Sequence, residues 1–153
     1  MSSQLTEAQI HAIVESWKIP SSIPIDAGEI ILFKFLEKYP DNQQKFAKFK
    51  NKPLSELKGT PAFRAHASRV MNAFCTTVDC LQLPGGWDEL PIIWREIGEN
   101  HERRKISKAS FEELREIIVS VLIDVCKLTP EQQEAWTILL NYIYEAALSC
   151  IST

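Results

Sequence analysis

Thr60-Pro61-Ala62-Phe63-Arg64-Ala65-His66-Ala67-Ser68-Arg69-Val70-Met71-Asn72-Ala73-Phe74-Cys75-Thr76-Thr77-Val78-Asp79-Cys80-Leu81-Gln82 is the stretch that decides the fold. Threonine before proline reads as a helix start: the hydroxyl can cap a free backbone N–H, and proline at the first helical position gives up only an N–H that has no acceptor. From there Phe63, Ala67, Val70, Phe74, Val78 and Leu81 recur at helical spacing, which predicts one amphipathic helix running to about Gln82. His66 lies three residues after Phe63 and four before Val70, so it shares their side and faces inward or sits at the rim.

Outward from this helix the same period recurs in both directions. Upstream, Thr6 with Gln9 forms a capping-box signal, Leu5 and Ile10 a hydrophobic staple, and Ile10, Ile13, Val14 and Trp17 a core face. Pro20 and Pro24 read as bracketing a short connection to a helix over Asp26 to Lys38, with Ile31, Leu32, Phe35 and Leu36 inward. Gly28 inside it costs about 1 kcal/mol relative to alanine, which suggests close approach by another helix. Pro40 ends this run, and Phe46 and Phe49 follow in an irregular, lysine-rich segment.

Downstream, Leu83-Pro84-Gly85-Gly86 is a break, and a helix from about Asp88 to Arg103 buries Leu90, Ile93, Trp94 and Ile97. Ser107 opens another helix, with Phe111, Leu114, Ile117, Ile118, Val121, Leu122 and Val125 inward. Thr129-Pro130-Glu131-Gln132 caps the last, with Trp136, Leu139, Leu140, Ile143 and Ala147 inward. Without an alternating strand pattern, a repeat or a linker, the expected fold is all-α and the chain one domain over residues 1–153.

Bulk properties narrow the function classes. A chain of 153 residues is expected to bury roughly 68 to 70% of its unfolded surface in one core. A net charge of −3 provides no basic field for nucleic acid, and no stretch approaches the roughly 20 apolar residues of a membrane span. The amino terminus, Met1 to Glu7, does not read as a secretory signal, so a cytoplasmic location is expected. Cys75, Cys80, Cys126 and Cys150 match no paired zinc or redox spacing and read as partly buried free thiols, a disulfide at Cys75 or Cys80 being the lesser alternative.

The three histidines are not equivalent. His11 points roughly 110° from the centre of its helix's apolar stripe and reads as a surface residue. His101 lies four residues after Ile97 and seven after Trp94, continuing their stripe. A single inward histidine is ordinarily a hydrogen-bonded core residue, whereas two on facing apolar helices suit a metal, because apolar surroundings keep imidazole neutral and ligating. Zinc would want four ligands, and neither histidine has a Cys or His at ligand spacing. No GxSxG, GxxxxGK or HExxH motif points to hydrolase or phosphate chemistry.

Over nearly its whole length the chain resembles animal globins, most of all insect haemoglobins. The resemblance rests on Trp17, on Tyr39-Pro40 followed by Lys45-Phe46-Ala47-Lys48-Phe49, on Phe63-Arg64-Ala65-His66-Ala67 and on Glu99-Asn100-His101, in that order. The 35 residues between the two histidines are a few more than usual, an excess that the Leu83–Trp87 connection can absorb at the surface. The resemblance implies a globin fold, seven to eight helices in a three-over-three sandwich around haem b (iron protoporphyrin IX). It makes His101 the proximal iron ligand and His66 the distal residue. It also implies that Phe46 packs flat on the haem, that Leu32, Phe49 and Val70 shape the distal pocket, and that Ile97, Ile106, Phe111 and Leu114 line other walls. Arg69, Arg104 and Lys105 would face the haem propionates or remain solvated cations.

By the same resemblance the expected function is reversible binding of oxygen and other diatomic gases for storage or facilitated transport, not catalysis. A distal imidazole N–H aimed at the charge-bearing oxygen would form a hydrogen bond worth about 1.5 to 3 kcal/mol. Two alternatives stand beside it: a six-coordinate globin whose distal histidine binds iron directly, acting in nitric oxide scavenging or redox chemistry, and a haem-free helical interaction module. Trp87, Trp94 and Tyr144, if partly exposed, would mark a homodimer contact.

Overall fold

The computed structural model describes residues 4–153; Met1, Ser2 and Ser3, the start of the stretch read for a leader and of the expected 1–153 domain, lie outside the described residues. Seven α-helices and one 3-10 helix carry the chain, with no strand among the described residues: α1 (Glu7–Ser22), α2 (Pro24–Lys38), the 3-10 helix (Pro40–Lys45), α3 (Leu54–Leu57), α4 (Pro61–Leu81), α5 (Gly86–Arg103), α6 (Lys108–Cys126) and α7 (Pro130–Leu148). The starts read from the sequence are capped as expected. Thr6 and Thr129 close full capping boxes with Gln9 and Gln132, and the side chains of Thr60 and Ser107 accept from the Phe63 and Ser110 N–H groups.

The helices form a three-over-three sandwich: α1, α4 and α5 on one side, α2, α6 and α7 on the other, with α2 crossing α4 and α5 crossing α7 most closely. Both crossings depend on a missing side chain. A Cβ on Gly28 would stand 2.5 Å from the Ala67 carbonyl oxygen, and one on Gly98 would stand 2.2 Å from that of Ala147, so each glycine lets two backbones touch. Gly28 is the close approach expected of it; Gly98, between Ile97 and Glu99, is not read from the sequence as one.

The core between the layers is aromatic and aliphatic. Trp17 meets Phe74 and Trp136 at 6.1 and 5.6 Å between ring centroids, and the Trp136 indole N–H donates to Ser16 Oγ at 2.8 Å. Glu29, buried in α2, is held by the Arg64 guanidinium and the Gly59 N–H, both at 3.3 Å, which joins the start of α4 to α2. Tyr39 and Lys38 both donate to Glu116 and tie the end of α2 to α6.

Three expectations change. Pro20 does not end α1: it sits buried in the last turn, where losing one backbone hydrogen bond is tolerated, and the break is the single residue Ile23. The lysine-rich segment is not wholly irregular, since it contains the 3-10 helix and the one-turn α3. Trp94 and Tyr144 are 3% and 1% exposed, so neither is available for a dimer contact; Trp87, half-buried, stacks flat on Tyr142 at 3.9 Å. All four cysteines are free and partly buried. Among the described residues no helix is long and apolar enough to cross a membrane.

Candidate functional site

One apolar cavity of about 480 Å³ opens between α2, the 3-10 helix and the loop after it, α4, and the junction of α5 with α6. His66 from α4 and His101 from α5 both line it, and no Asp or Glu does. The side chains of Leu32, Phe49 and Phe111 are buried in its walls, and Phe46, Val70, Ile106 and Leu114 complete the apolar lining read from the sequence. Arg69 and Arg104 also line it.

Each imidazole is set edge-on against a phenyl ring. The His66 ring lies 4.9 Å from Phe46 at 84° and 6.2 Å from Phe49 at 90°; His101 lies 4.9 Å from Phe111 at 90°. Burial pushes the His66 pKa down to about 4, with the charges of Arg69, His101 and Arg104 acting in the same direction. Burial likewise lowers the His101 pKa, and Arg104 adds to it, against a smaller upward effect of the Ile97 carbonyl. Both rings are therefore neutral near pH 7, the form that binds metals.

The Ile97 carbonyl lies 2.7 Å from His101 Nδ1. A carbonyl oxygen can only accept, so Nδ1 carries the hydrogen and Nε2 is left with a free lone pair. Ile97 was expected as a wall, and here the sequence reading is corrected: its side chain is not in the cavity lining, and its contribution comes through the backbone. Lys105 takes the second of the two places read for it, that of a solvated cation. It is exposed and outside the cavity because α5 ends in a Schellman turn: Lys105 takes a left-handed φ of 59°, its N–H donates to the Glu102 carbonyl, and the Ile106 N–H donates to that of His101. The turn sends Lys105 outward and brings Ile106 back to the cavity.

The cavity also has a polar corner that the sequence did not disclose. Ser110, at the start of α6, donates to Asn42 Oδ1 at 2.6 Å and receives the Lys45 ammonium, while the Asn42 amide donates to Glu113 at 3.2 Å. Lys45 and Lys48 stand in the stretch that carried the resemblance, yet only the folded loop shows them at the cavity. Ile31 and Phe35 were legible as core and prove to be lining as well.

Fold and cavity together define a helical protein built around an open-mouthed, largely apolar slot lined by two neutral imidazoles. Comparison with known proteins agrees. A model of the family Globin matches residues 30–147. Globin CTT-VIIB-7 of Chironomus thummi piger is 29% identical over 154 residues, covering 99% of this chain and 91% of that protein. Cytoglobin-1 of Danio rerio is 28% identical over 145 residues, covering 92% and 82%. A hexa-coordinate haemoglobin of Drosophila melanogaster superposes with a TM-score of 0.92 at 32% identity, covering 97% of this chain and 96% of that one.

The chain belongs to the globin family. Its cofactor is haem b, and the cavity fits that group: apolar walls for the porphyrin, a neutral imidazole with a free Nε2 for iron, and cations without a lining carboxylate for the propionates.

Proposed function

We propose that this chain, as one domain, binds oxygen reversibly on haem b for storage or transport in the cytoplasm, without catalysing a reaction. The observation that carries the reading is the pair of neutral imidazoles lining one apolar cavity. When bound, haem supplies a ferrous iron able to take a diatomic gas.

The chain's own residues supply the rest. His101 offers Nε2 as the proximal ligand, its ring held by the Ile97 carbonyl at 2.7 Å. His66, kept uncharged by burial, presents an N–H on the distal side, where Val70 limits the room for a ligand. Phe46 and Phe49, with Leu32, would exclude water from the same space. Phe111, Ile106 and Leu114 wall the other side, and Arg69 and Arg104 stand where carboxylates of the cofactor would meet them.

A second reading has its own support. The Drosophila melanogaster protein of similar sequence and fold is described as hexa-coordinate, and a neutral His66 is free to ligate iron itself. The absorption spectrum of the deoxygenated ferrous protein separates the two. A five-coordinate high-spin spectrum supports simple gas binding; a six-coordinate low-spin one transfers the assignment to the bis-histidyl form. A colourless protein after purification with added haem would refute both.

A further inference from the structure

The positive charges of this acidic chain are segregated. Residues 42–55 contain Lys45, Lys48, Lys50 and Lys52 and no acid; residues 103–111 contain Arg103, Arg104, Lys105 and Lys108 and no acid. The two segments are joined through Asn42, Lys45 and Ser110; Lys45, Lys48 and Arg104 from them line the cavity with Arg69, and the other five cations flank these along the chain as a basic collar. These nine cations are all exposed, and the remaining eight are set against all 20 acidic residues of the chain. Among the described residues every ion pair is made by Lys18, Lys38, Arg64 or Arg115, so none of the nine has a carboxylate partner. Of the acids that flank the two segments, Glu102 accepts from Ser152, Glu112 pairs with Arg115 and Glu113 accepts from Asn42, while Asp41 and Glu56 border the first segment without an ion pair to it.

We propose that this collar is a docking surface for an acidic segment of a partner protein, which would cover the cavity mouth. The proposal goes beyond the gas-binding reading and rests on it only in that the carboxylates of haem b neutralise part of the collar. A large positive excess remains after them. Uncompensated surface charge of one sign disfavours the folded chain and serves to steer and orient a partner of opposite sign. A compact acidic patch matches the collar alone. An extended polyanion, a duplex or an anionic bilayer, reaches past it to the strongly acidic remainder, which repels it once the span exceeds the Debye length of about 8 Å. The large exposed apolar residues Ile19, Ile23, Leu83 and Ile92 all lie outside the collar segments, so it also lacks the apolar groups that seat a protein in a bilayer.

The test uses the haem-loaded protein and a fluorescent decaglutamate peptide, with the Soret band recorded in parallel. Lys50→Glu with Lys52→Glu, and Arg103→Glu with Lys108→Glu, alter collar residues outside the cavity lining. Combined, they should weaken peptide binding at least about tenfold at low ionic strength, and the difference should vanish near 1 M salt, where the Debye length is about 3 Å. Lys127→Glu, at the far end of α6 and roughly 28 Å along it from Lys108, should change nothing. Equal binding by the collar and Lys127 variants would overturn the proposal, as would absent binding, or tighter binding of phosphatidylserine vesicles or duplex DNA than of peptide. A missing Soret band in the parent protein would instead refute the haem reading, so the two failures are distinguishable.

Discussion

His101 and His66 are chemically alike and are set apart by their backbone partners. His101 has its Nδ1 hydrogen fixed by the Ile97 carbonyl, whereas His66 packs against the Phe46 and Phe49 rings and makes no hydrogen bond among the described residues. His101→Ala should therefore yield protein that loses haem on a desalting column. His66→Leu should retain haem and release oxygen about ten- to a hundredfold faster by flash photolysis or stopped flow, the equivalent of one charge-assisted hydrogen bond. An unchanged off-rate would refute the distal bond. Acid should reveal the burial of the same ring. The folded pKa of His66, about 4, lies below the unfolded value of about 6.5, so unfolding takes up a proton in that interval. The stability contributed by the neutral ring is whole above about pH 6.5 and declines as pH falls towards 4. Urea midpoints of the haem-free protein should fall more steeply across this window in the parent than in His66→Leu. The tryptophans differ in a similar way. Trp136 loses its bond to Ser16 on conversion to Phe, while Trp17 Nε1 has no partner to lose, so Trp136→Phe should cost about 1 kcal/mol more than Trp17→Phe in chemical unfolding.

At the scale of elements, the site depends on how closely helices cross. Gly98 lies one turn before His101, and its contact with the Ala147 backbone seats α5 on α7. Gly98→Ala should destabilise the protein by about 1–3 kcal/mol despite alanine's better helix propensity, because the obstacle is backbone that cannot rotate away. Since the shift would move His101, weaker haem retention should accompany the lower urea midpoint. An unchanged midpoint would mean that the two helices slide apart freely. The Schellman turn after α5 acts at the same scale, sorting Lys105 outward and Ile106 inward over two consecutive residues.

At the scale of the molecule, the cavity is a gap in the core that the chain fills only in part. A ligand that binds the folded state alone stabilises it by mass action, by about 2.7 kcal/mol at a hundredfold excess over its Kd. For a chain of this size that corresponds to a rise in Tm of about 5–10 °C on haem loading, to be read by circular dichroism at 222 nm. A Tm independent of haem would show that the cavity does not bind it.

Much of this architecture is local and was legible in the chain alone. Caps at Thr6, Thr60, Ser107 and Thr129, the apolar stripes and the inward direction of His66 and His101 all follow from bonds and periods spanning a few residues. What only the tertiary structure decided involves groups distant in sequence or backbone atoms without a residue signature. Gly98 against Ala147, the Ile97 carbonyl on His101, the meeting of Lys45 with Ser110 and the burial of Tyr144 are of this kind. A helix's period states which way a side chain points; which other helix stands there, and how near, is set by packing seven helices at once.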